Sequence, residues 1–322
     1  MSAFAITSRD LSARARSRGA ARTLIGVATA LGVTVLATYR IATTTRRGTT
    51  GVSVLLSTGV GREVVHLTLF VLLVVFCVAA PITAGAAIAG ERERGSLGPL
   101  LLSGIRPVSV VTAKLLASLL PMVALLGVAS PFLAVGYVLG GVTGPEVLRG
   151  TAMLLLSVWM LTAVSLAVSA GAATAANGVA RAGIAVLLLV FGTVLGLGVE
   201  SVISRSTHFN TANRAVLMAN PFAATADAVA GPSGGNERFP SPFTPFHALI
   251  GDRITLLNDL VLQPSDGNGF GFVQVNTGGR RFAAARSTPF AQGAIAVDFG
   301  LIALSTLFAA RRLRLPRPMP GR

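Results

Sequence analysis

At 322 residues, with 52% hydrophobic and only 12% charged side chains, the chain carries about half the charge of a soluble globular domain, for which about 25% is usual, and an ordinary water-soluble fold is excluded. The net charge of +15 would in a soluble protein suggest nucleic acid, but here the basic residues sit at the ends of long apolar runs, where membrane topology explains them, and no nucleic-acid partner is expected. The only lysine is Lys114, and the lone cysteine, Cys77, lies within an apolar run, so there is no disulfide framework and Cys77 is expected to pack.

Residues 1–22 are basic and precede an apolar segment. That segment is longer than the apolar region of a signal peptide and lacks a small-residue cleavage site, so it reads as a retained span. Arg14, Arg18 and Arg22 recur at i, i+4 and i+8, which predicts a weakly amphipathic basic helix over 1–22 at the headgroup layer, in contact with membrane lipid.

A helix needs about 20 apolar residues to cross the hydrocarbon core, where backbone groups must pair internally. Six segments qualify, at residues 23–42, 64–90, 115–141, 147–176, 182–204 and 289–310, so the expected fold is an all-α polytopic membrane protein. Placing the N-terminus inside puts Arg9, Arg14, Arg16, Arg18, Arg22, Arg92, Arg94, Arg106, Lys114, Arg181, Arg311, Arg312, Arg314, Arg317 and Arg322 on the inner side. The short outer connections then hold Arg40, Arg46, Arg47, Arg62 and Arg149. The excess predicts that both termini, including a basic tail at 311–322, are cytoplasmic. The spans are rich in small residues, and Gly136 with Gly140 and Gly192 with Gly196 form GxxxG pairs expected to serve close helix packing.

Residues 205–288 form an outer loop too long to be a plain connector. Asn220-Pro221 reads as an N-cap and first helical position, opening a helix to about Val229. Phe246, Leu249, Ile250, Ile254, Leu257 and Val261 recur at helical spacing, predicting an amphipathic helix on the outer face.

The only lysine is flanked by Ala113 and Leu115, so no phosphate-binding GxxxxGK[ST] loop exists, and any ATP that drives the chain is bound by another subunit. Gly231 to Gly235 fits GxSxG, but in a Pro/Gly-rich loop without the strand and helix of a nucleophile elbow, and with His247 preceding Asp252, the wrong triad order. His66, His208 and His247 show no metal-ligand spacing. Glu200 and Asp298 fall near or within spans. Ionisable groups there are costly, which makes both candidates either for a substrate path or outer gate or for an interfacial or paired structural role, expected toward the outer leaflet where water or Arg205 satisfies them.

Between the second and third spans, Glu91, Arg92, Glu93 and Arg94 must lie outside the bilayer. After a Gly-Ser break, Leu97 and the leucines 100–102 form a short apolar helix that a mere connector would not need and that suits a partner's groove. The run Ala87-Ile88-Ala89-Gly90-Glu91-Arg92-Glu93-Arg94-Gly95-Ser96-Leu97, followed by Leu101-Leu102 and Lys114, resembles the signature of ABC type-2 transporter permeases, and Asn220-Pro221-Phe222 resembles an element that family often carries after its fifth span. Ser96 stands where the family usually has Thr, and Ala113 where Gly is common.

The resemblance implies the permease subunit of an exporter, paired with a second permease and with ATP-binding-cassette ATPase subunits. ATP would lie on that partner and no cofactor in this chain. It also implies a coupling helix over about 91–113, with Glu91, Arg92, Glu93, Arg94, Gly95, Ser96, Leu97, Leu101 and Arg106 transmitting the ATPase's motion, and a plasma (inner) membrane location. The apolar spans point to an amphiphilic cargo, such as a lipid, drug or lipid-linked glycan. Two other readings of the residues are a proton-coupled secondary transporter working through Glu200 and Asp298, and a non-transporting membrane scaffold or an enzyme acting through the outer loop.

Overall fold

The computed structural model describes residues 18–45, 57–102, 106–204, 216–229, 242–243, 245–246 and 289–313. Among these the chain is helical and forms no strand, as expected where hydrocarbon leaves no water to satisfy an open sheet edge. In chain order the helices are α1 (Arg18–Thr45), α2 (Ser57–Gly85), α3 (Ala89–Glu93), α4 (Leu97–Leu102), α5 (Pro107–Val138), α6 (Gly144–Ser169), α7 (Ala175–Ser204), α8 (Pro221–Val229) and α9 (Pro289–Arg312). Six of them are long and apolar enough to cross a membrane.

The boundaries differ from the hydropathy segments for local reasons. The third span starts at Pro107 rather than 115 because Pro suits the first helical turn and because Lys114 finds an anionic partner instead of ending the helix. The second span stops at Gly85 and resumes after a turn as α3. Pro81, Pro121 and Pro131 lie inside helices that nonetheless continue past them, as packed spans allow.

Helices α2 and α6 form the centre. α2 packs on α1, α5, α6, α7 and α8, and α6 packs on α2, α5, α7, α8 and α9. Leu69, Leu72, Leu73 and Phe76 of α2 interlock with Leu154, Val158, Leu161 and Leu166 of α6 and with Val110, Val111 and Met122 of α5. On the periphery, α1 exposes Ile25, Val33 and Leu36, and α7 exposes Ile184, Leu187, Leu188, Phe191 and Leu195. Apolar surface of that extent calls for lipid or another helix to cover it.

Glycine sets the closest approach. A Cβ on Gly61 would strike the carbonyl oxygens of Gly136 and Gly140, and one on Gly136 would lie 2.6 Å from Val65 Cγ2. The first GxxxG pair therefore serves the α2–α5 contact, as small residues do in lipid. Among the described residues the second pair meets no neighbour, since Gly192 and Gly196 have nothing within 4 Å of the position a Cβ would take.

Helix α8 forms where Asn220-Pro221 predicts it, but it is drawn into the bundle against α6, α9 and α2 instead of lying in an outer loop. Pro221 to Ala226 are buried. Asn220 Oδ1 accepts the N–H groups of Phe222 at 2.9 Å and Ala223 at 3.3 Å, capping the helix. Its Nδ2 donates to Val190 O at 2.8 Å and Thr193 Oγ1 at 2.7 Å, tying α8 to α7. Above it, Phe222 stacks on Phe246 with ring centroids 5.5 Å apart. The basic helix expected over 1–22 lies outside the described residues up to position 17. So does the amphipathic segment after Phe246.

Candidate functional site

One end of the bundle gathers residues 85–102, Arg106, the α6–α7 turn at 170–174 and Lys114. The approach begins with glycine. A Cβ on Gly85 would meet Val179 Cα at 3.0 Å and Ala182 Cβ at 3.1 Å, and one on Gly178 would strike the Gly85 carbonyl. With no side chain between them, the end of α2 rests on the first turns of α7.

The turn into α3 leaves backbone donors that its own helix cannot satisfy. Ser169 Oγ, on the last residue of α6, accepts the N–H groups of Ile88 at 3.3 Å and Ala89 at 3.1 Å. The charges that follow fan out because successive helical residues point about 100° apart. Glu91 Oε1 lies 2.6 Å from Lys114 Nζ, binding α3 to α5. The Arg92 guanidinium donates to the carbonyl of Ala172 and, at 2.9 Å, to that of Ala170, the C-cap of α6. Glu93 Oε2 accepts the N–H of Ala175, the first residue of α7, at 2.8 Å. A cation thus sits on the negative end of α6 and an anion on the positive end of α7, so Arg92 and Glu93 grip both sides of one turn with the sign each helix dipole favours.

The residues after the charges close α3. Gly95 has φ +71, a left-handed conformation open to glycine at little cost. Its N–H donates to Arg92 O at 3.1 Å, and the N–H of Ser96 donates to Glu91 O at 3.0 Å. That is the double hydrogen bond of a Schellman cap. Ser96 Oγ adds a bond to Glu91 O at 3.2 Å, the contact that a hydroxyl residue at this position supplies. Leu97 is buried and pins the start of α4, whereas Gly98, Pro99 and Leu102, the last 77% exposed, face outward. Arg94 and Arg106 are exposed as well. The Leu101 side chain lies outside the described set.

The predicted coupling residues therefore divide in two. Glu91, Arg92 and Glu93 hold α5, the end of α6 and the start of α7 to one short helix, and Arg94 and Arg106 are exposed on an outer surface that Leu102, which was not among the predicted residues, shares. Sequence reasoning did not anticipate Ser169, Ala170, Ala172, Ala175 or Gly178 as partners. Four of these five contribute only backbone, whose role no residue type announces.

Asp298 lies elsewhere, in the buried stripe of α9. Its exposure of 1% departs from the expectation that water satisfies it, because that stripe turns inward onto α6. Arg205, the other expected partner, lies outside the described residues. Glu200 belongs to the last turns of α7, its side chain outside the described set.

The clasp fastens α5, the end of α6 and the start of α7 to the short helix α3, from which the more exposed α4 continues. Comparison with curated proteins found no match. A family model described as ABC-2 family transporter protein matches residues 6–262, which takes in the projecting helix, the charge clasp and five of the six membrane-crossing helices. The chain belongs to the ABC-2 family of transporter proteins, as a membrane component and not an ATP-binding subunit.

Proposed function

We propose that the chain is the permease of an exporter driven by a separate ATP-binding-cassette ATPase, and that residues 91–106 receive that ATPase's motion. The observation that carries this reading is the division of labour in the clasp: Leu102, Arg94 and Arg106 point outward, while Glu91, Arg92 and Glu93 hold α5, α6 and α7. Coupling requires an element that the partner can bias between two positions, and α3–α4 is short, projecting and attached to every helix it would have to move. Gly95 and Ser96 set the angle between the two.

This end is the cytoplasmic one in the proposed orientation. The exposed Arg94, Arg106, Arg181, Arg311 and Arg312 at this end follow the positive-inside pattern. ATP is bound on the partner. A second permease, identical or related, would find the uncovered face of α7 around Gly192 and Gly196 accessible to close packing. The cargo is amphiphilic, a lipid, drug or lipid-linked glycan, because the spans present apolar surface and few polar groups. Co-expression with the ATPase encoded nearest this chain, followed by ATP-turnover assays in nanodiscs, tests the reading. Amphiphile-stimulated turnover supports it. Turnover and complex formation that are both unchanged on charge reversal at Glu91 and Glu93 would remove the coupling assignment.

A further inference from the structure

Helix α2 stops at Gly85 and α3 starts at Ala89, yet nothing in the sequence between them breaks a helix. Ala86, Ala87 and Ala89 are of the residue type with the highest helix propensity, and glycine is frequent inside spans. Pro81 lies a turn before Gly85, and the bond it removes is the one to Cys77 O. Ile88 already has helical angles, φ −94 and ψ −43.

A continuous helix would bond the N–H of Ile88 to Ala84 O and that of Ala89 to Gly85 O. Neither bond forms. Ala84 O takes the N–H of Ala87 at 3.1 Å instead, and the Gly85 carbonyl lies against Gly178 of α7, where a Cβ would strike it. Both N–H groups turn to a single oxygen outside the helix, Ser169 Oγ, at 3.3 and 3.1 Å. A side chain inserted into the ladder of backbone bonds is a known cause of a helix break. The interruption is thus imposed by the buried end of α6 and not by the sequence of 84–93.

We propose that the Ser169 hydroxyl is a positioning group that holds the α2–α3 break open, and that residues 84–93 have a second state, one continuous helix that carries α4 away from the α6–α7 turn. What drives the change rests on the ATPase reading above; the existence of the two states does not. A switch needs two arrangements of comparable free energy. The broken state has two N–H bonds to a hydroxyl, both longer than the usual 2.9–3.0 Å, and the continuous state has two backbone bonds in their place, so the hydrogen-bond count is the same in each. Ile88 needs no disfavoured backbone angle to pass between them. The remaining contacts of α3 with the same turn, Arg92 on the Ala170 and Ala172 carbonyls and Glu93 on the Ala175 N–H, are hydrogen bonds to backbone groups that part in the same movement.

The test is the distance between nitroxide labels at Asn177→Cys on α7 and Leu102→Cys on α4, both exposed positions. It is measured on the intact permease in nanodiscs, with Cys77→Ser, together with hydrogen exchange over 84–93. Ser169→Ala should add a narrow, longer distance, shifting the ratio of the two by about tenfold, while the amides of 84–93 stay protected. Ser169→Thr, which keeps the hydroxyl, should retain the first distance. If Ser169→Ala does not fold, Arg92→Met, which loosens α3 from the same turn and leaves the hydroxyl, should show the longer distance as a minority. The wild-type distance alone in these variants overturns the proposal by making the break a fixed part of the fold. A broad distribution with faster exchange over 84–93 overturns it by making Ser169 an ordinary cap. Because the permease is measured without its ATPase, the two readings fail separately: a longer distance in Ser169→Ala with unchanged amphiphile-stimulated turnover of the complex keeps the switch and removes the coupling assignment.

Discussion

Cutting the Glu91–Lys114 pair should weaken both the fold and the coupling. The two charges are 2.6 Å apart, with side chains 20% and 7% exposed. In a medium of effective dielectric constant near 20, the attraction is about 6 kcal/mol. Most of it is cancelled by the cost of removing both charges from water, so the net coupling should be about 1–3 kcal/mol. Lys114→Met leaves a partly buried carboxylate without its cation, and Glu91→Gln takes the anion from a buried ammonium, so each single substitution should cost about 2–4 kcal/mol. The double variant should cost less than their sum by the coupling energy. Reversible unfolding of the four proteins in detergent provides this cycle. A coupling energy below about 0.5 kcal/mol, the scatter expected of independent sites, would refute the claim that this pair fastens α3 to α5.

Gly95→Val should lower stability by about 1–2 kcal/mol, since a branched side chain resists the left-handed conformation, while Gly95→Asn should be better tolerated; unfolding midpoints of the two compare them directly. Gly178→Leu should force α2 and α7 apart, because even its Cβ strikes the Gly85 carbonyl. A loss of about 3 kcal/mol or more, or of monodisperse protein on size-exclusion chromatography, is expected. Gly192→Leu, where the position is open, should leave the unfolding midpoint within the range typical of surface changes, about 0.5 kcal/mol. Asn220→Ala removes a helix cap and leaves the Val190 carbonyl without that donor. A cost of about 2–4 kcal/mol, measured by unfolding, is expected.

The six crossing helices were legible in the sequence because length and hydropathy dictate them. The charge quartet was legible as a feature outside the bilayer, since no span could absorb four consecutive charges. What those charges touch was not legible. Arg92 and Glu93 meet a carbonyl and an N–H of the α6–α7 turn, groups that every residue carries, and only the fold brings positions 92 and 172 together. Lys114 misled the boundary for a related reason: a lysine ends a hydrophobic run unless its partner is known, and Glu91 is a full loop away. The burial of α8 was hidden too. Pro221 to Val229 lies between polar, loop-like stretches, and its apolar face shows its purpose only when α6 and α9 are beside it. Asp298 was singled out as costly, yet its depth followed from the packing of α9 on α6, including Trp159 against Phe299, which no periodicity within α9 encodes.

The central claim is that the projecting helix is where a separate ATPase engages. A photocrosslinking residue at Leu102, which is 77% exposed at this end, and another at Val138, 82% exposed at the far end of α5, test it in membranes containing both subunits. Crosslinking to the ATPase from position 102 and not from 138 is the predicted result. No crosslink from 102 in a complex that still forms, or a crosslink from 138 instead, would contradict the account.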